Sequence, residues 1–436
     1  MKKSILLGSA AALVAVTGAQ AADLPIIEPV DYVKVCDAFG SGFHYIPGTE
    51  TCLKFSGRVR AEIGVGDDDD DDDKDDESFL NSNFELVVNA SSMTEIGMIV
   101  GQFAIEGSNE GEVELGDAWI TIGENILVGR ETSRFDFGGG YGIYDGRYVD
   151  EGINQFTFIM PFGNGVSMTL GLEDQRDRRG GIAAALVEDV VTNTAGPTLA
   201  PMIVAYDASS VFGFFESNYA GMEIPEIVAS LRISQGWGSA QVSGALHQIR
   251  VMDYSNPGAN IFATSSTSEY DDEFGFAVQA GVELNVGTMS KVKLVGGYAD
   301  GAMHYIGGEN FADAVVTYVN DGVDTLATSI DTQTGWYVLA AAQHGFGDGL
   351  TGSLTGSYYD YDDQAELWQV GATLEYEVVE NLLVSLAGVY TSLDYDPSFG
   401  DTYSNAINDT DGPVRTDRTP ADRDTWEAKL RVQRNF

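Results

Sequence analysis

The segment Trp426–Phe436 reads WEAKLRVQRNF, with Trp426, Ala428, Leu430, Val432 and Phe436 on one side of an extended backbone. Glu427, Lys429, Arg431, Gln433 and Asn435 fall on the other side, and Arg434 is the single break in the apolar row. Successive side chains of a β-strand point to opposite faces, so this period of two specifies a strand with an apolar medium on one side and water on the other. A helix would scatter the same residues around its circumference. Leu53 to Val65 repeats the pattern, with Leu53, Phe55, Val59, Ala61, Ile63 and Val65 set against Lys54, Ser56, Arg58, Arg60 and Glu62. In Glu366 to Val378, Trp368, Val370, Ala372, Leu374, Tyr376 and Val378 alternate with Gln369, Gly371, Thr373, Glu375 and Glu377.

Outward from these three, about sixteen such segments are found, each near the ~10 residues of a tilted membrane strand. They fall at Leu53 to Val65, Asn83 to Ala90, Glu95 to Ile105, Val113 to Ile122, Ile126 to Glu131, Ile153 to Met160, Val166 to Glu173 and Ile224 to Gln235. The second half follows at Ser239 to Arg250, Glu273 to Leu284, Lys291 to Ala299, Gly335 to Gly345, Leu350 to Asp360, Glu366 to Val378, Leu382 to Leu393 and Thr425 to Phe436. Connections alternate between short, such as Ser91 to Thr94 or Gly347 to Gly349, and long, such as Asp174 to Glu223 or Asp300 to Thr334. Short periplasmic turns and long outer loops are what a transmembrane antiparallel β-barrel has. All eleven prolines fall before the first strand, in a connection or at a strand start, as residues that cannot donate to a sheet must. Aromatics such as Phe156, Tyr298, Trp336, Tyr358 and Trp426 lie at strand ends or on apolar faces, where a barrel has its interfacial girdles and a soluble protein its core.

Three regions follow. Residues 1–21 are expected to be a signal peptide: Lys2 and Lys3, the apolar stretch Ile5 to Val16, and Ala19-Gln20-Ala21 as a cleavage site. That apolar stretch is shorter than the ~20 residues a spanning helix needs. Residues 22–52 form an N-terminal periplasmic segment, and 53–436 the barrel. Only two cysteines are present, so no disulfide framework supports the fold. Cys36 and Cys52 are close in a chain exported to an oxidising space and are expected to form one disulfide.

The formal charge is -44, and losing Lys2 and Lys3 with the leader makes it two units more negative. Nucleic acid, which requires a basic footprint, is excluded as a partner. An acidic surface instead gathers cations. No G-x-S-x-G, Walker loop or H-E-x-x-H occurs, and His44, His247, His304 and His344 stand singly, so no catalytic residue, enzyme activity or bound cofactor is expected.

Charge placement is more informative. In a closed barrel the first and last strands pair, which brings Lys54, Arg58 and Arg60 beside Lys429 and Arg431 on one interior wall. This wall reads either as one side of a field across a pore or as a set of lumen ion pairs without a transport role. The loop Thr132 to Gly152 holds Asp136, Asp145, Asp150 and Glu151 among Phe135, Phe137, Tyr141 and Tyr144. Such aromatics are poor choices for a solvated loop and its glycines permit a tight inward fold, so the loop is expected to narrow the barrel with Asp136 and Asp145 facing the basic wall. The run Asp67 to Asp73, continued by Asp75, Asp76 and Glu77, is a self-repelling solvated loop. Its functional alternative is diffuse calcium or magnesium binding at Asp67, Asp69, Asp71 and Asp73, bridging to lipopolysaccharide phosphates, without the glycine spacing of an EF-hand.

Several stretches resemble alphaproteobacterial outer-membrane porins. These are Ala22-Asp23-Leu24-Pro25, Val35-Cys36-Asp37-Ala38-Phe39-Gly40, and Tyr45-Ile46-Pro47-Gly48-Thr49-Glu50-Thr51-Cys52-Leu53. Further matches are Gly129-Arg130 leading to Ser133-Arg134-Phe135-Asp136-Phe137, Gly236-Trp237-Gly238-Ser239-Ala240-Gln241 to His247, and the ending Leu430 to Phe436. The resemblance implies a homotrimer of sixteen-stranded barrels in the outer membrane, passing ions and small hydrophilic solutes by passive diffusion. It implies a third outer loop that constricts each pore, with Arg130 and Arg134 among the pore residues, and a terminal Phe436 read by the barrel-insertion machinery. The acidic balance points to cation preference. The competing reading is a barrel that serves as a surface or envelope structural protein whose acidic loops bind divalent cations.

Overall fold

The computed structural model describes residues 35–66, 78–109, 111, 113–146, 152–188, 203–205, 219–254, 266–308, 311–320, 325–362, 364–396 and 423–436. Sixteen strands pair antiparallel in chain order and close on themselves. The first eight are β1 (Cys52–Gly66), β2 (Ser78–Thr94), β3 (Gly97–Ser108), β4 (Glu114–Ile122), β5 (Ile126–Thr132), β6 (Gly152–Gly163), β7 (Val166–Glu173) and β8 (Glu226–Gln235). The second eight are β9 (Gly238–Tyr254), β10 (Ser266–Val286), β11 (Ser290–Asp300), β12 (Thr334–Gly347), β13 (Leu350–Tyr361), β14 (Ala365–Val379), β15 (Leu382–Tyr395) and β16 (Arg423–Asn435). Each expected segment lies within or across one of these strands.

Closure is made by β1 against β16, in a register running from Arg58 opposite Asn435 to Gly66 opposite Glu427. It is completed where Gly57 and Phe436 exchange backbone hydrogen bonds of 3.1 and 3.0 Å. Among the described strands the wall is closed without a free edge, the arrangement that lets a sheet's backbone stand in lipid. The large exposed apolar side chains lie on the outward face, Val59, Leu80, Phe103, Val242, Leu294 and Leu430 among them. Two of the periplasmic turns are Asn164-Gly165 and Asp348-Gly349, with both residues at positive φ, the primed geometry that matches strand twist.

At the periplasmic end, His44 and Tyr45 pair with Leu53 and Cys52, and the Cys36–Cys52 disulfide ties this segment to the foot of β1. Residues 1–34, including the expected leader, lie outside the described residues.

The outer face differs from expectation. Strands Gly181–Glu188 and Ile203–Ala205 of the fourth outer loop, and Ala312–Asn320 and Thr325–Thr332 of the sixth, form a small sheet above the barrel. Gly181–Glu188 runs parallel to Ala312–Asn320 across more than a hundred residues of sequence, a pairing that local alternation does not encode. Several barrel strands also continue past the alternating segment, β2 starting at Ser78 and β10 at Ser266. Hydrogen bonding persists beyond the lipid, where the outward face no longer has to be apolar.

Candidate functional site

Residues 133–146 of the third outer loop turn into the barrel and are bonded step by step to the interior wall. Gln241 and Ser243 of β9 donate to the Phe135 carbonyl at 3.0 and 2.6 Å, and the Phe137 amide donates to Gln279 of β10 at 2.8 Å. Lys293 of β11 donates to the Gly139 carbonyl at 2.8 Å, while the Tyr141 and Ile143 amides donate to Thr355 of β13 and Thr373 of β14 at 3.0 and 2.9 Å. Phe135 and Phe137 are buried. Contact this close needs missing side chains: a Cβ on Gly281 of the wall would stand 2.3 Å from the Phe137 ring, and one on Gly140 of the loop 2.3 Å from Thr355. The inward fold expected from the loop's aromatics and glycines is therefore present, and it covers the β9–β14 side of the interior.

Asp136 does not pair with the wall of β1 and β16. Asp136 accepts from Arg178 of the fourth outer loop at 2.9 Å, and both side chains are buried, at 2% and 0% exposure. The expectation placed Asp136 opposite the basic wall, but a buried carboxylate takes the partner that is buried with it, and Arg178 arrives from another loop. Asp145 closes a tight turn, its carbonyl accepting from the Gly140 amide at 2.6 Å. Asp150 and Glu151 lie outside the described residues. What the loop brings to the basic wall is Tyr144, whose ring lies 5.4 Å from the Lys429 ammonium.

The basic wall forms, but with its counter-charges inside it. Arg58 pairs with Glu85 at 2.8 Å, Arg431 is bonded to Glu62, and Lys429 lies 3.0 Å from Glu427 and 3.9 Å from Glu62. Arg60 donates to the Gln433 amide oxygen at 3.0 Å. Cations and carboxylates therefore alternate along the wall. Lys54 stands apart at the foot of β1, over the Phe43 ring at 5.9 Å. Arg134 pairs with Glu131 on the interior side. Arg130 is in register with Ala118 and Asn154 and shares the outward face of Val128 and Phe156, its guanidinium donating to the Gly116 carbonyl at 3.2 Å. Register also brings Glu85, Glu106 and Glu114 of β2, β3 and β4 into one row beside Arg58. Arg58, Arg60, Asn83, Glu106 and Glu114 line a common polar cleft.

A second cluster was not anticipated. The Arg178 guanidinium stacks 4.6 Å over the Tyr305 ring of the sixth outer loop, and Tyr305 packs edge-on against Phe135 at 4.7 Å. Tyr305 donates to Glu226, whose other oxygen lies 2.5 Å from Nδ1 of His247, and Nε2 of His247 lies 3.0 Å from the Tyr219 hydroxyl. Tyr219 donates to Asp313 at 2.7 Å, and Asp313 also accepts from the Gly180 and Met303 amides at 2.7 Å each. Glu173 accepts from Ser133 at the root of the third loop. Burial opposes charge on Arg178, but Asp136, Tyr305 and Glu173 around it together outweigh that and hold its pKa above the ordinary arginine value. Burial pushes the Tyr219 and Tyr305 phenols and the Asp313 carboxyl up. The one available signal in sequence was a histidine on the polar face of a membrane strand, His247.

Asp67, Asp69, Asp71 and Asp73 lie outside the described residues. Among the described residues no group of three or more His, Cys, Asp or Glu side chains is arranged to hold a metal ion.

The family model described as "Porin subfamily" matches residues 23–416. Porin Omp2b of Brucella suis is 33% identical over 259 residues, covering 54% of this chain and 64% of the relative. Porin Omp2b of Brucella abortus (strain 2308) is 32% identical over 260 residues, covering 54% and 63%. The matched region thus spans just under two thirds of the length of these relatives. Among solved structures, the outer membrane channel DcaP of Acinetobacter baumannii superposes with a TM-score of 0.61 at 16% identity, covering 90% of this chain and 99% of that one. At that identity the likeness is one of fold.

Proposed function

The chain belongs to the porin family and is an integral β-barrel of the outer membrane, and from this premise we propose that it forms a water-filled channel for passive diffusion of ions and small hydrophilic solutes. The observation that carries the proposal is the division of the interior. Its β9–β14 side is packed with the third loop, while β1–β4 and β16 present Arg58, Arg60, Glu85, Glu106, Gln433 and Arg431. Charged side chains in such number at membrane depth require water beside them, and water there is a path.

Finer parts of the reading are proposals of the same kind. The channel prefers cations: Glu106 and Glu114 and an overall charge of -44 favour positive ions, while Arg58 and Arg431 of the β1 and β16 wall are matched by the neighbouring carboxylates Glu85 and Glu62. Three copies assemble in the membrane through outward apolar faces, Phe436 serves as the assembly signal, and the Asp67–Asp73 run gathers calcium or magnesium loosely near lipopolysaccharide.

Planar-bilayer recording of purified, heat-modifiable protein in a salt gradient tests this. Stepwise conductance is expected, with a reversal potential of the sign set by cation flow. Folded protein that inserts and conducts nothing would overturn the channel reading in favour of an envelope structural role.

A further inference from the structure

The interior face of β9 carries His247, fully buried, and a chain of hydrogen bonds and ring contacts leads from it to the third loop. The Tyr219 hydroxyl gives its only proton to Asp313, so its 3.0 Å contact with Nε2 of His247 is made by an N–H on that nitrogen. On the other side of the ring, Nδ1 lies 2.5 Å from Glu226, which also accepts from Tyr305. A bare nitrogen lone pair facing a carboxylate at that distance is repulsive, so this contact needs a second proton. The ring and Glu226 together hold one proton more than a neutral imidazole beside a carboxylate.

The groups facing the ring come from three elements. Glu226 stands on β8; Tyr219, with the Arg179 guanidinium 4.9 Å over its ring, belongs to the fourth loop; Asp313, 3.6 Å from Nε2, belongs to the sixth. Tyr305 links Glu226 to Phe135 and Arg178, and Arg178 to Asp136, so what holds the sixth loop also holds the third.

We propose that His247 is a positioning residue for the constriction: in its proton-bearing state it ties the fourth and sixth loops to the barrel wall and, through Tyr305, fixes the third loop, so that rising pH releases the loops and widens the path. This rests on the channel reading above. The sign follows from the proton count, because a contact that needs an extra proton is present at low pH and lost as pH rises.

The test measures single-channel conductance and backbone hydrogen exchange from about pH 5 to about pH 10, spanning the histidine range, on the full chain, His247→Gln and Tyr305→Phe. The native protein is expected to hold a flat conductance that rises on the alkaline side, with exchange in residues 134–146 and 301–308 accelerating over the same interval. His247→Gln is expected to lose that pH dependence in both readouts. Tyr305→Phe keeps the ring but not the tie to Glu226, so the sixth loop is expected to respond to pH while the third does not. Flat exchange in the native protein, or an alkaline transition unchanged in His247→Gln, overturns the proposal. Absent conductance at every pH counts against the channel and leaves the exchange comparison to decide the positioning role. If His247→Gln does not fold, the native profile and Tyr305→Phe decide it.

Discussion

Replacing Arg178 by methionine keeps most of the side chain's volume and removes only its charge and donors. Asp136 then remains at 2% exposure without its 2.9 Å partner. Breaking a buried pair on one side costs about 3–5 kcal/mol, and losing the stack on Tyr305 adds up to about 2 kcal/mol. Asp136 has an escape, since taking up a proton at pH 7 against an ordinary aspartyl carboxyl costs about 4 kcal/mol. That sets the ceiling for the charge contribution at about 4 kcal/mol, so with the stack the third loop is expected to open more easily by about 3–6 kcal/mol. At 1.4 kcal/mol per decade this is a loss of about two to four decades in exchange protection. The amides to follow are those of Phe137, Tyr141 and Ile143, each bonded to the wall by its own side-chain acceptor. The penalty should shrink as pH falls toward the carboxylate range, because protonation of Asp136 then costs less. The double variant Arg178→Met with Asp136→Asn removes the stranded charge and should recover most of the loss. A single substitution that changes protection less than about tenfold, or a double variant as unprotected as the single, refutes the buried-pair account of how the loop is held.

Gly281→Val places a branched side chain where a Cβ alone is 2.3 Å from Phe137, and overpacking of about 1–3 kcal/mol should displace the third loop, seen as faster exchange and noisier conductance with the barrel intact. Cys36→Ser releases a link across 16 residues, worth about 3 kcal/mol in unfolded-chain entropy, and should make residues 36–51 sensitive to protease while leaving the barrel's melting unchanged. Glu106→Gln with Glu114→Gln should move the reversal potential toward anions, and Arg58→Gln with Arg60→Gln the opposite way. Raising salt from about 0.1 to 1 M shortens the screening length from about 10 to 3 Å, so cation preference set by mouth charge should fall steeply, measured as reversal potential at a constant gradient ratio.

The strands were legible because alternation is local: lipid on one side and water on the other impose it residue by residue, and a slip of one position would invert every side chain. Strand ends were less legible, since β10 begins at Ser266 although the sequence from Ser266 to Asp272 shows no alternation of apolar and polar residues. The union of Arg58 and Arg60 with Lys429 and Arg431 could be foreseen from closure alone. Its neutralisation could not, because Glu62 was visible only as one more residue on the polar face until register set it opposite Arg431. Asp136 and Arg178 lie 42 residues apart on different loops, and nothing local says which loops will share a buried volume.

These placements bear on where selectivity arises. Along the β1 and β16 wall Arg58, Lys429 and Arg431 lie against Glu85, Glu427 and Glu62, so charges of opposite sign sit within a few ångströms of one another. Fields of such pairs cancel over short distances, and an ion a Debye length away senses little of either. The loop's Asp136 is likewise matched by Arg178. Negative charge is also concentrated in sequence between β1 and β2, where residues 67–77 contain one lysine among ten acidic residues. That run lies outside the described residues, and we propose it as a source of selectivity at the outer mouth. An entrance of one sign raises the local concentration of counter-ions, whereas a constriction lined by matched pairs orients polar solutes without rejecting either ion. The two sites are separable by salt: entrance selectivity decays with ionic strength, and selectivity from a desolvated constriction persists.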